Sequence, residues 1–152
     1  MKSKANTLKW ITFILLALSI VLFFLPYLRI AGDFNNPIQL LEMINENRGG
    51  IRGDAAFEVV FSFIVPVALT VLSAFLMVFK ICVPRSIISS ILNALSVGIY
   101  LLFFSQTFFD TSSGNVGFGL IGNVVIACLG IVLPIVTVIL HKSATKNSQN
   151  EA

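Results

Sequence analysis

Charge is what this chain has least of. Only 11% of its 152 residues are Asp, Glu, Lys or Arg, against about 25% in an ordinary soluble domain. Hydrophobic residues make up 57%, and the mean hydropathy is +0.95. A water-soluble fold cannot hide that much apolar surface. Histidine is almost as scarce: His141 is the sole example, which removes most general-base chemistry. The sequence contains no Ser/His/Asp set and no H-E-x-x-H, the patterns that carry nucleophilic or zinc-assisted hydrolysis. Its two cysteines, Cys82 and Cys128, cannot make a disulfide framework, and neither has a second Cys or a His at ligand spacing. No metal, cofactor or thiol-redox role is expected, and the chain reads as a non-enzyme.

The few charges are segregated. None falls between Trp10 and Leu28, Val59 and Phe79, Ser86 and Phe109, or Thr111 and Leu140. Runs of about 18 residues or more fit helices crossing a hydrocarbon core about 30 Å thick, where each backbone N–H and C=O must be satisfied within its own segment. Barrel strands would be about ten residues long with alternating character. The expected fold is an all-α membrane protein, an antiparallel bundle of four transmembrane helices over about 8–28, 56–79, 86–105 and 117–140. These belong to one domain, residues 1–142. The polar, aperiodic residues 143–152 are expected to be a disordered cytoplasmic tail. MKSKANTLK followed by an apolar stretch resembles a secretory signal, but the run is too long and Arg29 precedes the small residues Ala31 and Gly32. It is expected to be an uncleaved first span.

Orientation follows from basic residues in short flanks. Lys2, Lys4 and Lys9 precede the first span, Lys80 and Arg85 lie in the link between the second and third, and Lys142 and Lys146 follow the fourth. All fall on one side, which is expected to be the cytoplasm, so both termini are expected inside. On the other side Arg29, Arg48 and Arg52 are diluted by Asp33, Glu42, Glu46, Asp54 and Glu58. The formal net charge of +3 is spread over tails and turns rather than gathered into a stripe, so no nucleic-acid partner is expected.

The first outer segment holds a short helix signal at about 37–47. Asn36 before Pro37 has the form of an N-cap followed by proline at the first helical position. Ile38, Leu41 and Met43 or Ile44 recur at helical spacing opposite Gln39, Glu42, Asn45 and Glu46, and Gly49 and Gly50 end the pattern. That describes an outer amphipathic helix which either caps the bundle or meets a partner. The second outer loop, 106–119, mixes Phe108, Phe109 and Phe118 with Gly114, Gly117 and Gly119. It lacks basic residues and Walker spacing, so it is expected to be a flexible turn whose phenylalanines dip into the interface.

Polar residues inside the spans are costly, so they mark what the spans do. In the third span Ser86, Ser89, Ser90, Asn93, Ser96 and Tyr100 step by three or four along one face. In the fourth Gly119, Asn123, Ala127, Gly130, Pro134 and Thr137 do so, and in the second Ser62, Pro66, Thr70 and Ser73. Small, weakly polar faces let helices approach closely and hydrogen-bond across the seam. The same faces could instead line a cavity or pore, although a proton- or ion-coupled path usually carries an embedded ionisable group, and these runs hold none. Two functions lead, with a membrane enzyme third: a structural, accessory or oligomerising subunit acting through copies of itself or another membrane protein, and a small transporter or channel for an uncharged or lipid-like solute.

FFLPYLRIAG at 23–32, the polar outer segment and GFGLIGNVVIACLGIVLP at 117–134 together resemble the small uncharacterised four-helix membrane proteins of low-GC Gram-positive bacteria. The layout is also similar to the claudin-type tetraspan plan, with its larger first outer segment. The G-L-W and paired-cysteine signature of that family is absent, so junction or adhesion roles do not carry over. Small multidrug transporters also have four spans, but they are shorter and carry a Glu in the first, where this chain has none.

Overall fold

The computed structural model describes residues 2–30, 33–46, 57, 59–107 and 116–150. The expectations on Gly49, Gly50, Glu58 and most of the loop 106–119 lie outside the described residues. Helix α1 is Lys2–Phe23. It begins before the expected span and ends earlier than residue 28, for a local reason: Pro26 denies Leu25 the helical backbone region. The last turn closes tightly instead, with the Phe24 N–H on the Val21 carbonyl at 3.2 Å and the Leu25 N–H on that of Leu22 at 3.0 Å.

The next residues add a short hairpin to an otherwise helical chain. Strands β1, Leu28–Ile30, and β2, Asp33–Asn35, pair antiparallel with Leu28 opposite Asn35 and Ile30 opposite Asp33. Three-residue strands are too short for alternation to be legible. Val116 adds one bridge to Leu28. The Tyr27 N–H donates to the Asn35 carbonyl at 2.8 Å, which carries the hairpin directly into helix α2, Pro37–Asn45. Asn36 is its N-cap: Oδ1 accepts from the N–H groups of Ile38 and Gln39 at 3.0 Å each, and Gln39 Oε1 accepts from the Asn36 N–H at 2.9 Å. The inward residues are Pro37 and Leu40 rather than Ile38, which is exposed, or Leu41 and Ile44, which are half-buried. At about 100° per residue Leu41 and Ile44 fall about 40° from Pro37 and Leu40 respectively and share their face, whereas Ile38 turns about 100° away from Pro37.

A π-helical turn, Val60–Ile64, leads into helix α3, Val65–Val78. Proline explains the wide turn. Pro66 has no N–H for the Ser62 carbonyl and its ring crowds that oxygen, and widening the ladder here puts the Val65 N–H on Val60 O. Helix α4 is Val83–Thr107, with Pro84 in its first turn where no donor is lost, and helix α5 is Phe118–Asn150. The expected disordered tail at 143–152 is thus helical as far as Asn150. Extending an existing helix adds one bond per residue without a new nucleation cost, and Ala144 is buried.

Helix α1 packs against α3 and α5, and α4 against the same two, closing a ring of four. Leu16 faces Gly130 and Leu22 faces Gly122; Lys9 meets Val78 while Tyr27 meets Phe63; Ser73 bonds Ser89 while Thr70 bonds Ser96. Lys4–Phe23, Val60–Val78, Val83–Phe103 and Phe118–Lys146 are all long and apolar enough to cross a membrane. Polarity is arranged inside out. Ile14, Phe75, Leu101 and Ile139 stand more than half exposed, while Thr12, Ser73, Asn93 and Thr137 are fully buried. Water would reverse that order, whereas lipid tails favour it.

The entry to α5 is the closest backbone approach. The Gly117 N–H donates to the Tyr27 carbonyl at 2.8 Å and the Gly119 N–H to that of Pro26 at 2.9 Å, which serves donors that a helix start leaves free. A Cβ on Gly119 would stand 2.7 and 2.8 Å from the Leu22 and Leu25 carbonyl oxygens, while one on Gly98 would meet nothing within 4 Å. Gly119→Ala should therefore lower the melting temperature in detergent by several degrees, the response to about 1–2 kcal/mol. Gly98→Ala should leave it level or raise it through helix propensity. Equal effects of the two would contradict this packing.

Candidate functional site

The structure buries all sixteen span residues placed on those faces above, among them Ser62, Thr70, Ser73, Ser89, Asn93, Ser96, Gly119, Asn123, Ala127 and Gly130. It does not bring them into one site. Thr70, Ser73, Ser89, Asn93, Ser96 and Gly130 form a seam where α4 meets α3 and α5, and Asn123 belongs to a second cluster. Gly119 lies against the chain at 22–27. Ile38, Leu41 and Ile44 sit on α2, outside the seam.

Two prolines account for the seam. Pro134 lies inside α5 and offers no N–H to the carbonyl of Gly130, four residues earlier. Asn93 supplies the missing donor, with Nδ2 at 3.3 Å from Gly130 O, and Ser90 Oγ donates to the adjacent Ile131 carbonyl at 2.8 Å. On the other side the Pro66 carbonyl accepts from Thr70 Oγ1 and Ser96 Oγ, each at 3.0 Å. Between these points Ser73 Oγ and Ser89 Oγ lie 2.6 Å apart, and Asn93 Nδ2 also reaches Ser73 Oγ at 2.5 Å and the Ser89 carbonyl at 2.9 Å. The polar face of α4 thus repairs a ladder that proline interrupts in α5 and bonds the backbone of α3.

Glycine is required where the Asn93 amide lies flat against α5. A Cβ on Gly130 would stand 2.5 Å from Asn93 Cγ and 2.6 Å from Oδ1. That oxygen is buried with no hydrogen-bond partner.

The second cluster lies at the hairpin end. Tyr27, which its place at the outer end of the first span predicts as an interfacial ring, is instead fully buried: its ring packs edge-on against Phe63 at 5.3 Å and Phe23 at 6.2 Å. Asn123 Nδ2 donates to the Tyr27 hydroxyl. The Tyr100 hydroxyl also pairs with that of Tyr27, and Oδ1 of Asn123 is buried without a hydrogen-bond partner among the described residues. Leu40 and Leu120 complete this core.

Sequence reasoning overlooked the inner face of α1. Ala5, Lys9, Thr12, Leu16 and Ser19 are all buried, and their alternating steps of four and three are the heptad spacing of a packed seam. The Thr12 and Ser19 hydroxyls donate to their own helix, to Leu8 O at 2.8 Å and Leu16 O at 2.7 Å, so they enter the interface without an unmet proton.

Among the described residues no group of three His, Cys, Asp or Glu could hold a metal. Cys82 is half-buried, Cys128 is exposed and both are free thiols; His141 is half-buried. The seam itself consists of neutral hydroxyls, amides and carbonyls, which can hold helices in register. The sequence matches no protein-family model, and no curated protein or solved structure is significantly similar to it.

If Asn93 serves the carbonyl that Pro134 frees, their substitutions should be coupled. Asn93→Leu alone should destabilise the detergent-solubilised protein by about 1–3 kcal/mol, the cost of orphaned buried partners. In a Pro134→Ala background the new N–H meets Gly130 O, so the same substitution should cost about 0.5–1 kcal/mol less. Strict additivity in a double-mutant cycle would separate the two residues.

Proposed function

We propose that the chain is a multi-pass protein of the bacterial cytoplasmic membrane, an antiparallel four-helix bundle with the hairpin and α2 outside and both termini in the cytoplasm. It works as a non-enzymatic structural or accessory subunit, through homo-oligomerisation or another membrane protein, on a tetraspan layout. The observation that carries this reading is where the seam donors go: Asn93, Ser90, Thr70 and Ser96 all donate to main-chain carbonyls of the bundle. Polar groups committed in this way bind helix to helix and are withdrawn from any permeant solute. The orientation is supported by Lys9, Lys80 and Arg85 gathering at one end, with Lys142 and Lys146 on the last turns of the helix that ends there.

One observation favours the rival transporter or channel. Near the hairpin Asn123 Oδ1 is buried without a hydrogen-bond partner among the described residues, as a group awaiting a solute would be.

Light scattering from vesicles challenged with glycerol separates the two. Proteoliposomes should swell no faster than protein-free vesicles, and Asn93→Leu and Asn123→Leu should lower melting temperature or break assembly. Faster swelling in the parent protein, abolished by Asn93→Leu in a bundle that still folds, would establish the pathway instead.

Topology has a native reporter. A membrane-impermeant maleimide added to intact cells should leave Cys82 unlabelled until the membrane is permeabilised, whereas labelling from outside would reverse the orientation.

A further inference from the structure

At the end of the bundle opposite Tyr27, three cations share one small crevice. Lys9, Lys80 and Arg85 line it together with Cys82 and Ser86, and the lining contains no acidic side chain. The cavity volume is about 10 Å³, room for one water-sized group. Lys9 is only 8% exposed. Its Nζ donates to the Val78 carbonyl at 2.9 Å and lies 5.2 Å from the Trp10 ring centre. Arg85 is held similarly, with Nη1 on the Lys80 carbonyl at 3.3 Å and the guanidinium 5.3 Å from the Phe79 ring. Carbonyls and ring faces position these cations but neutralise none of them. Lys80 and Arg85 remain exposed and Lys9 alone is buried, so the crevice gathers three positive charges with no carboxylate among its lining residues, and an anion is its natural complement.

The surroundings decide which anion. Trp10 and Phe79 are exposed beside the crevice, and such amphipathic rings favour the headgroup level of a membrane. Apolar helix faces run directly from the crevice along the bundle. An anion carrying two acyl chains fits both features, whereas a free anion uses only the charge.

We propose that this crevice binds the phosphodiester of an anionic lipid headgroup. One non-bridging oxygen occupies the water-sized space beside Lys9, and Lys80 and Arg85 flank the remainder at its mouth. Basic pockets between helices at a membrane surface recognise lipids in this way. The inference rests on the membrane-spanning reading above.

The test offers purified protein an equimolar mixture of phosphatidylglycerol and phosphatidylcholine and counts the retained lipids by native mass spectrometry. The parent protein should retain phosphatidylglycerol in excess by about tenfold. Lys80→Gln with Arg85→Gln, two exposed positions that do not depend on the buried Lys9, should bring the ratio near one. Lys142→Gln with Lys146→Gln should preserve it, and millimolar inorganic phosphate should not displace the lipid. Equal retention of both lipids, an unchanged preference in the Lys80/Arg85 variant, or displacement by inorganic phosphate would each overturn the proposal. Alkaline carbonate extraction keeps the two readings apart: protein that stays in the membrane pellet without lipid preference refutes the crevice alone, and protein released to the supernatant refutes both.

Discussion

Hydrocarbon offers a peptide carbonyl nothing to bond, and a proline inside a helix leaves one carbonyl without its usual donor. Two long helices of this chain contain such a proline, and the fold answers each differently. At Pro66 the helix widens into a π turn, and the proline carbonyl itself accepts hydroxyls from α3 and α4. At Pro134 the ladder stays α-helical, and a donor comes from the next helix. Helix α4 is the common element. Asn93 therefore completes the main chain of α5, while Ser96 adds a bond to a backbone carbonyl of α3, and these bonds offset the cost of burying the polar side chains.

From that constraint the rest of the bundle follows. Since α4 must lie close enough for a short amide to reach a backbone oxygen, the facing residue on α5 has to be Gly130. Glycine recurs where α5 begins, because N–H groups of residues 117 and 119 meet the carbonyls of Tyr27 and Pro26 directly. The end of α1, the hairpin and the start of α5 are thereby tied by main-chain bonds, above a core of Tyr27, Leu40, Phe63, Tyr100 and Leu120. The opposite end is held by Lys9 on the α3 terminus, a cation at the negative end of a helix dipole. The outward faces are left with bulky aliphatic residues, which lipid solvates without further design.

Composition and periodicity made the four helices and the α3, α4 and α5 faces legible, because uncharged length and three-or-four spacing depend on no distant partner. The N-cap at Asn36 was legible for the same reason, its capping box being local. What sequence could not give was set by partners far along the chain. Lys9 reads as a flanking charge until Val78, 69 residues away, is seen to accept from it. Tyr27 reads as an interfacial ring until Asn123 reaches its hydroxyl. The hairpin was hidden by its brevity, and the inner face of α1 by being so weakly polar that its heptad spacing drew no notice. The link between Pro134 and Asn93 could have been found, since a helix proline always specifies which carbonyl it leaves bare.

The carbonyl of Gly130 reports most directly on this account. With that carbonyl labelled with carbon-13, solid-state NMR of the protein in bilayers should give a downfield, hydrogen-bonded signal that moves upfield in Asn93→Leu. A signal already at the unbonded position in the parent protein, or one that ignores the substitution, would contradict the claim that α4 supplies the donor that Pro134 lacks.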